Sequence, residues 1–478
     1  METLKNKRQI LPCKVFENLD AIQDLLKPTI KGFSLDNLKE VISIICTHIP
    51  KDENCTSLKM LYLKKLVPQA DKYLSGLIDI GIVQRSGFAV IGQSSFKYGF
   101  TAEYHSKFIS LPLNNAKLIR RIDKVHNEFR KVSAKSIRGH SEQSEYLKLL
   151  TIAPGYNEYI ESHYTAETDK YNSIVGSATR IINNDIFYSI DSTSGRFHSN
   201  ITNMAKGLRP FLRINGEPLV NIDIKNSQPY LSTILLTNPG KVSFMTKNPA
   251  FALVLQSLKV SLNEDVKEYI NLVNSGQLYE YLMAEFAKEG LNLTRNETKT
   301  QVLRILFARN RMPRNPINDT EVFISKLTEK EKREREKFIT DYPKIKKARQ
   351  IFKKRFPKVH RIFSKIRGSE KGDKFSNFKR FAILLQSIEA YLMLDVILKR
   401  IYKELPGTIA ITIHDSILTG VLTNNVEAVR KIMSDELTFF VGFRPQIVIE
   451  GKIRENKKEN IDRTIINHYY ATTLVSIN

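Results

Sequence analysis

Tryptophan is absent from this 478-residue chain, and its three cysteines, Cys13, Cys46 and Cys55, are an odd number with no CxxC spacing. That excludes a disulfide framework, speaks against a zinc site, and implies a reducing, intracellular (cytoplasmic) location. Long apolar runs are also missing. The longest, such as Phe381–Leu385, fall far short of the roughly 20 residues a membrane helix needs. The N-terminal METLKNKRQILPCKVF has no apolar stretch of signal-peptide type, so no membrane partner is expected. There is no internal repeat, Gly/Ser linker or low-complexity block. Acid is scarce relative to base: 50 Asp and Glu stand against 74 Lys and Arg, a net charge of +24. Hydrophobic residues at 42% and charged residues at 26% make an ordinary globular balance, which rules out a disordered or collagen-like chain. A surplus of cations in such a chain points to a polyanionic partner, most simply nucleic acid. A lysine-rich compositional bias would give the same number.

The length suits roughly two to four domains. In residues 35–105, LDNLKEVISIICTHI, SLKMLYLKKL and PQADKYLSGLIDIGI carry helical spacing. Ser34 stands as a possible N-cap of the first, and Pro68 near the start of the third. IVQRSGFAVIGQSSFKYGFT then reads as two strands around a Gly/Ser turn. Three helices followed by a β-ribbon is the layout of a winged helix, a DNA-binding arrangement; a helical packing module would have the same pattern. Residues 1–107 are taken as this module. Residues 108–190 read as a polar helical connection with a basic stretch, and 191–478 as the part that carries chemistry. Within that last part, Phe352, Phe356, Val359 and Phe363 recur at helical spacing in a basic segment, so one side should pack while the charged side faces out.

Four segments carry the chemistry. In EPLVNIDIKNSQPYLSTILL, a short β-rich run ends near Asp223, and Pro229 suits the first turn of the helix that follows. A carboxylate at a strand end beside a helix N-terminus can hold a divalent cation against a phosphate; it could equally cap the helix. GTIAITIHDSILTGVL reads as strand, tight turn and strand, with His414 and Asp415 at the turn. A carboxylate in so apolar a hairpin needs a partner. Two Asp from two strand ends are the minimum for holding two Mg²⁺ about 4 Å apart in phosphoryl chemistry. On a helix, Arg295, Lys299, Leu303 and Phe307 fall four apart, two cations and an aromatic able to grip a triphosphate and stack on a base. An amphipathic helix with exposed basic residues reads the same way. Finally, Arg196, His198, Asn200, Asn203, Lys206 and Arg209 crowd the segment ahead of Asp223, a composition suited to tracking a nucleic-acid backbone.

In this order the segments resemble the A-family polymerase core, shared by bacterial-type DNA polymerases and single-subunit phage-type RNA polymerases. SGRFHS matches the TGR-x-x-S segment, Asp223 in DIKNSQPYL motif A, Arg295, Lys299 and Phe307 motif B, and HDS motif C; LLQSIEAYLML supplies the Gln that precedes motif C. The resemblance spans about half the chain. It implies an α/β (α+β) fold of palm, fingers (about 240–380) and thumb, with 108–190 thumb-like. It implies two Mg²⁺ held by Asp223, Asp415 and the Ile224 carbonyl, and an incoming dNTP or rNTP gripped by Arg295 and Lys299. Gln228 and Phe307 would line the nucleotide site, while Arg196, Gln386, His414, Lys206 and Arg209 contact the primer–template. The expected protein is a monomeric, template-dependent nucleotidyltransferase.

Several positions depart from the family pattern. Gln228 replaces the Glu that excludes the 2′-hydroxyl in the DNA polymerases, where the RNA polymerases have Gly. Phe307 replaces Tyr, Leu303 replaces Phe, and Ala308 replaces Gly, while HDS is the RNA-polymerase form of motif C. A DNA polymerase is slightly favoured. The alternatives are a single-subunit RNA polymerase or primase-like enzyme, and a DNA-binding replication or defence factor whose polymerase core is degenerate.

Overall fold

Leu38, Val41, Ile42 and Ile45 recur at helical spacing, and all four are fully buried in a helix spanning Leu35–His48. The Ser34 side chain accepts a hydrogen bond from the Asn37 backbone N–H, as an N-cap does. The computed structural model describes residues 7–50, 53–87, 95–137, 139–307, 329–367, 377–421 and 425–450. The other helices expected in the N-terminal part are Met60–Leu66 and Ala70–Asp79. The latter starts after Pro68 because Gln69 takes a left-handed backbone, φ 59°, just ahead of it. The expected strands are Val83–Ser86 and Lys97–Phe100; most of the segment between them lies outside the described residues. A third strand, Cys55–Ser57, not foreseen in the sequence, pairs with Lys97–Phe100. Gly99 is needed there, since a Cβ would sit 2.3 Å from the Asn54 carbonyl oxygen.

This first core does not end at residue 107. The strand Phe108–Pro112 pairs antiparallel with Arg8–Pro12, and the helix Ala116–Ser136 contributes Leu118, Ile119, Ile122 and Val125 to the same buried cluster. The span 108–190 is therefore divided between two cores rather than forming a region of its own. Leu150–Ile152 joins the main sheet of the second core, and Gln143 accepts hydrogen bonds from the backbone and hydroxyl of Thr412 in that sheet. The helix Thr168–Ile182 packs against both cores.

The second core is built on a six-stranded antiparallel sheet. Its order is Ala410–Ile413, Ser416–Gly420, Glu217–Ile224, Leu212–Ile214 and Leu150–Ile152, with Ile447–Glu450 pairing along the free half of Glu217–Ile224. The eight-residue strand Glu217–Ile224 is its spine. Helices surround it, among them Leu278–Lys288, Arg295–Phe307, Pro357–Arg367 and Val426–Val441. Phe352, Phe356, Val359 and Phe363 are all buried, as their spacing predicts. The first, second and fourth lie edge-on to Tyr269 at 5.5–6.2 Å. The continuous helix Arg380–Glu404 corrects the reading from apolar runs. Its mean hydropathy of 1.8 over a membrane-length window would suit a span, although most of that window is buried as a core helix. The three cysteines are free thiols.

Candidate active site

The strand register decides where the two aspartates meet. Asp223 lies opposite Ser416 across the antiparallel pair, and Ile413 lies opposite Ser416 in the neighbouring hairpin. Asp415, in the two-residue turn between those strands, therefore emerges at the same end of the sheet as Asp223. The turn is tight enough to hold His414 at φ 54°, a left-handed conformation uncommon for a side chain of that size. After Ile224 the chain reverses through Asn226, φ 55°, into the short helix Ser227–Ser232, and the Ser227 hydroxyl donates a hydrogen bond to the Asp415 carboxylate.

Burial and the neighbouring Asp415 charge, with a smaller contribution from Glu450, push Asp223 up to about 7; Lys206 and Lys299 pull the other way. Among the described residues its carboxylate has no hydrogen bond or ion pair. A carboxylate so raised and without a counterion would be stabilised by a bound cation. Glu450, unforeseen in the sequence, sits across from Asn221 on the adjoining strand. Lys206 and Asn221 bond to it at 2.7 and 3.0 Å and hold it below its usual range despite burial. Arg209 is lowered by burial and partly restored by the charges of Glu450, Asp223 and Asp415. Lys206 and Arg209 thus flank the carboxylates, whereas Asn200, from the same basic segment, is spent on the backbone of Phe187 and Asp185.

On the helix Arg295–Phe307 the Lys299 side chain is exposed, has no ion-pair partner among the described residues, and lies within the field of Asp223. Arg295 pairs with Glu280 at 2.5 Å and lies over the Tyr279 ring at 5.5 Å. Burial raises the Tyr279 phenol to about 12, with Arg295 opposing and Asp415 adding, so this ring is within reach of both charges. Phe307 packs on Phe381 at 6.3 Å; Ala308 lies outside the described residues. Ile224 is buried opposite Ile447.

A second buried group ties motif positions together. Glu389 is 2% exposed, pairs with Arg196 at 2.7 Å, and accepts a hydrogen bond from the Gln228 amide. Burial lifts it to about 7, with the Asp415 charge adding and Arg196 and Gln228 opposing. Gln386 lies one turn earlier on the same helix, half-buried, without a side-chain hydrogen bond among the described residues. His414 is lowered by burial and by the nearby Arg196 and His198, whose ring is 5.7 Å away. His198 in turn meets Asp191, which backbone and side-chain bonds from Ser194, Thr193 and Arg196 hold at about 2 against the effect of burial. The sequence reading missed Glu389, Glu450, Ser227 and Asp191. The lone acid in the apolar run LLQSIEAYLML was the available sign of the first.

Two carboxylates and a backbone carbonyl make a sparse donor set. Among the described residues no three His, Cys, Asp or Glu side chains converge as a metal cage. The set suits Mg²⁺, which keeps several waters and is bound through one or two carboxylates plus substrate phosphates, and does not suit a structural zinc site.

No protein-family model matches the chain, and no curated protein does at a significant level. Among solved structures it is similar to the POL domain of Pol1 from M. smegmatis in complex with DNA primer-template and dNTP. The identity is 10%, with 94% of this chain and 67% of that one covered, at a TM-score of 0.34. A likeness this loose leaves the reading of the site to its own residues.

Proposed function

We propose that the protein is a template-dependent nucleotidyltransferase that extends a nucleic acid 3′-hydroxyl with nucleoside triphosphates. The observation that carries this reading is the placement of Asp223 and Asp415 at one end of the sheet, where burial and the Asp415 charge raise Asp223 and no hydrogen bond or ion pair among the described residues relieves it, with Lys299 close enough to lower it. In this reading Asp223, Asp415 and the Ile224 carbonyl hold Mg²⁺, which when bound offsets the charge on the transferring phosphate. Ser227 fixes the orientation of Asp415 through its hydroxyl. Lys299 and Arg295 hold the triphosphate, Arg295 first giving up Glu280. The 3′-hydroxyl gives up its proton to solvent as its oxygen bonds to the α-phosphorus and the bond to the bridging oxygen breaks; pyrophosphate leaves, and Lys299 can supply its proton. Phe307 lines the nucleotide site, and Arg196, Gln386, His414, Lys206 and Arg209 lie toward the primer–template.

Deoxynucleotides are the favoured substrate. The Gln228 amide is clamped by Glu389, which is itself clamped by Arg196, and the Gln228 carbonyl oxygen is buried without a hydrogen bond. A side chain so held is a rigid obstacle at the position where a 2′-hydroxyl would come. Primer extension with Mg²⁺ and either dNTPs or rNTPs, with Asp415→Asn as control, tests the proposal. Extension by the wild type, lost in the variant, is expected. No extension with either triphosphate set, together with tight DNA binding, would replace the enzyme with a degenerate binding factor.

A further inference from the structure

The helix Ala116–Ser136 is 21 residues long and belongs to the first core, not to the sheet that carries the aspartates. Leu118, Ile119, Ile122, Val125 and His126 are buried, which fixes its orientation. Lys117, Arg120, Arg121, Lys124, Lys131 and Lys135 are all exposed. At 100° per residue these six cations fall within an arc of about 100° on the side opposite the buried face, along about 27 Å of helix axis. None has an ion-pair or hydrogen-bond partner for its side chain among the described residues.

The two acids on the helix are already occupied by cations from elsewhere. Asp123 pairs with Lys7 at 2.7 Å and Glu128 with Lys65 at 3.7 Å. Arg130, about 80° outside the arc toward the buried face, is likewise committed, to Asn184 and Asn127. An ordinary solvated face interleaves both signs of charge; here the acids are neutralised and the cations are left in one line. A stripe of this length matches about eight base pairs of duplex at 3.4 Å per phosphate along each strand.

We infer that the exposed face of the Ala116–Ser136 helix is a binding surface for the phosphate backbone of duplex nucleic acid. It follows the backbone without reading sequence, because Lys and Arg on one helix face address phosphates by charge. The identity of the polyanion rests on the proposed function, whereas the surface is separate from the carboxylate site.

The test is fluorescence anisotropy with the full chain and a labelled 24-base-pair duplex, titrated at KCl concentrations from 50 to 300 mM. Lys124→Gln with Lys131→Gln should weaken binding to the same degree on unrelated sequences and reduce the slope of log affinity against log salt by about 1.8, or about 0.9 for each phosphate that is no longer neutralised. Lys27→Gln with Lys31→Gln removes the same charge from exposed positions of the same core and should leave the slope as it is. Asp415→Asn should bind with the wild-type slope, so that failure of synthesis and failure of this surface are read separately. An unchanged slope in the helix variant would overturn the inference. So would an equal reduction in the control, which would reduce the effect to net charge, or binding to anionic phosphatidylserine vesicles in place of duplex.

Discussion

Asp415→Asn should make the metal-free protein more stable at pH 8, although it removes a residue placed at the centre of the site. Asp223 rises from 3.8 to about 7 in the folded chain, a difference of about 4 kcal/mol at 1.36 kcal/mol per pH unit. Between those two values the folded state holds a proton that the unfolded state has released. Stability is therefore lost as pH rises through this window, and the full cost is present above pH 7. Burial is the largest cause and Asp415 the second, so removing the Asp415 charge recovers part of that cost, on the order of 1–2 kcal/mol. Asn can still accept the hydrogen bond from Ser227. Near pH 5.5 Asp223 is mostly protonated in the wild type, so little of the repulsion remains to be relieved and the gain should shrink to a few tenths of a kcal/mol. The assay is thermal unfolding with EDTA at pH 5.5 and pH 8, then again with Mg²⁺. Mg²⁺ should stabilise the wild type by about 2.7 kcal/mol at a hundredfold excess over its Kd, more strongly at pH 8 than at pH 5.5, and the variant much less. A variant less stable than the wild type at pH 8 in EDTA, or a gain equal at both pH values, would refute the charge-repulsion argument.

Lys299→Ala should slow primer extension by about 10- to 150-fold, the value of one charge-assisted hydrogen bond of about 1.5–3 kcal/mol. It should also move the acidic limb of the pH–rate profile upward, because Lys299 helps keep Asp223 ionised; single-nucleotide incorporation across pH measures both. Gln228→Ala should raise ribonucleotide incorporation relative to deoxyribonucleotide by tenfold or more, about 1.4 kcal/mol of lost discrimination, seen by single-nucleotide competition. Glu389→Gln should give a smaller change in the same direction, since it weakens the clamp on Gln228 without removing the side chain. Phe356→Ala should destabilise the second core by about 3–5 kcal/mol, because the ring is fully buried against Tyr269, Tyr281 and Phe352; the urea midpoint reports it.

Periodicity alone located the elements whose faces differ sharply. Leu38, Val41, Ile42 and Ile45 form one stripe, and Phe352, Phe356, Val359 and Phe363 another, because a helix that buries one face must repeat its apolar residues about every 3.6 positions. The C-terminal end of Glu217–Ile224 and the Ile413–Ser416 turn were equally legible, since β-rich runs stop where Asn, Asp and Ser begin. The strand Cys55–Ser57 was not: three residues of mixed polarity carry no period, and pairing with Lys97–Phe100 is what makes them a strand. The pairing that links the two sides of residue 107 was hidden for a related reason. The Arg8–Pro12 and Phe108–Pro112 strands join through backbone hydrogen bonds across about a hundred residues of chain, and backbone pairing leaves no signature in side-chain composition.

The site divides in the same way. Asp223 and Asp415 could be singled out from residue type and local setting, because a carboxylate at the end of an apolar element is conspicuous in one dimension; Lys299 stood out by its spacing from Arg295, and Gln228 only by its place in the motif A resemblance. What those groups do to one another belongs to the tertiary structure. The register that sets Asp223 against Ser416 brings two like charges together and raises one of them. Burial of Glu389 turns an unremarkable helix position into the clamp between Arg196 and Gln228. Pairing of Ile447–Glu450 with the spine strand delivers Glu450 to Lys206. The chain determines which charges exist; distance and dielectric, set only when distant segments pack, determine which of them oppose, neutralise or await a partner.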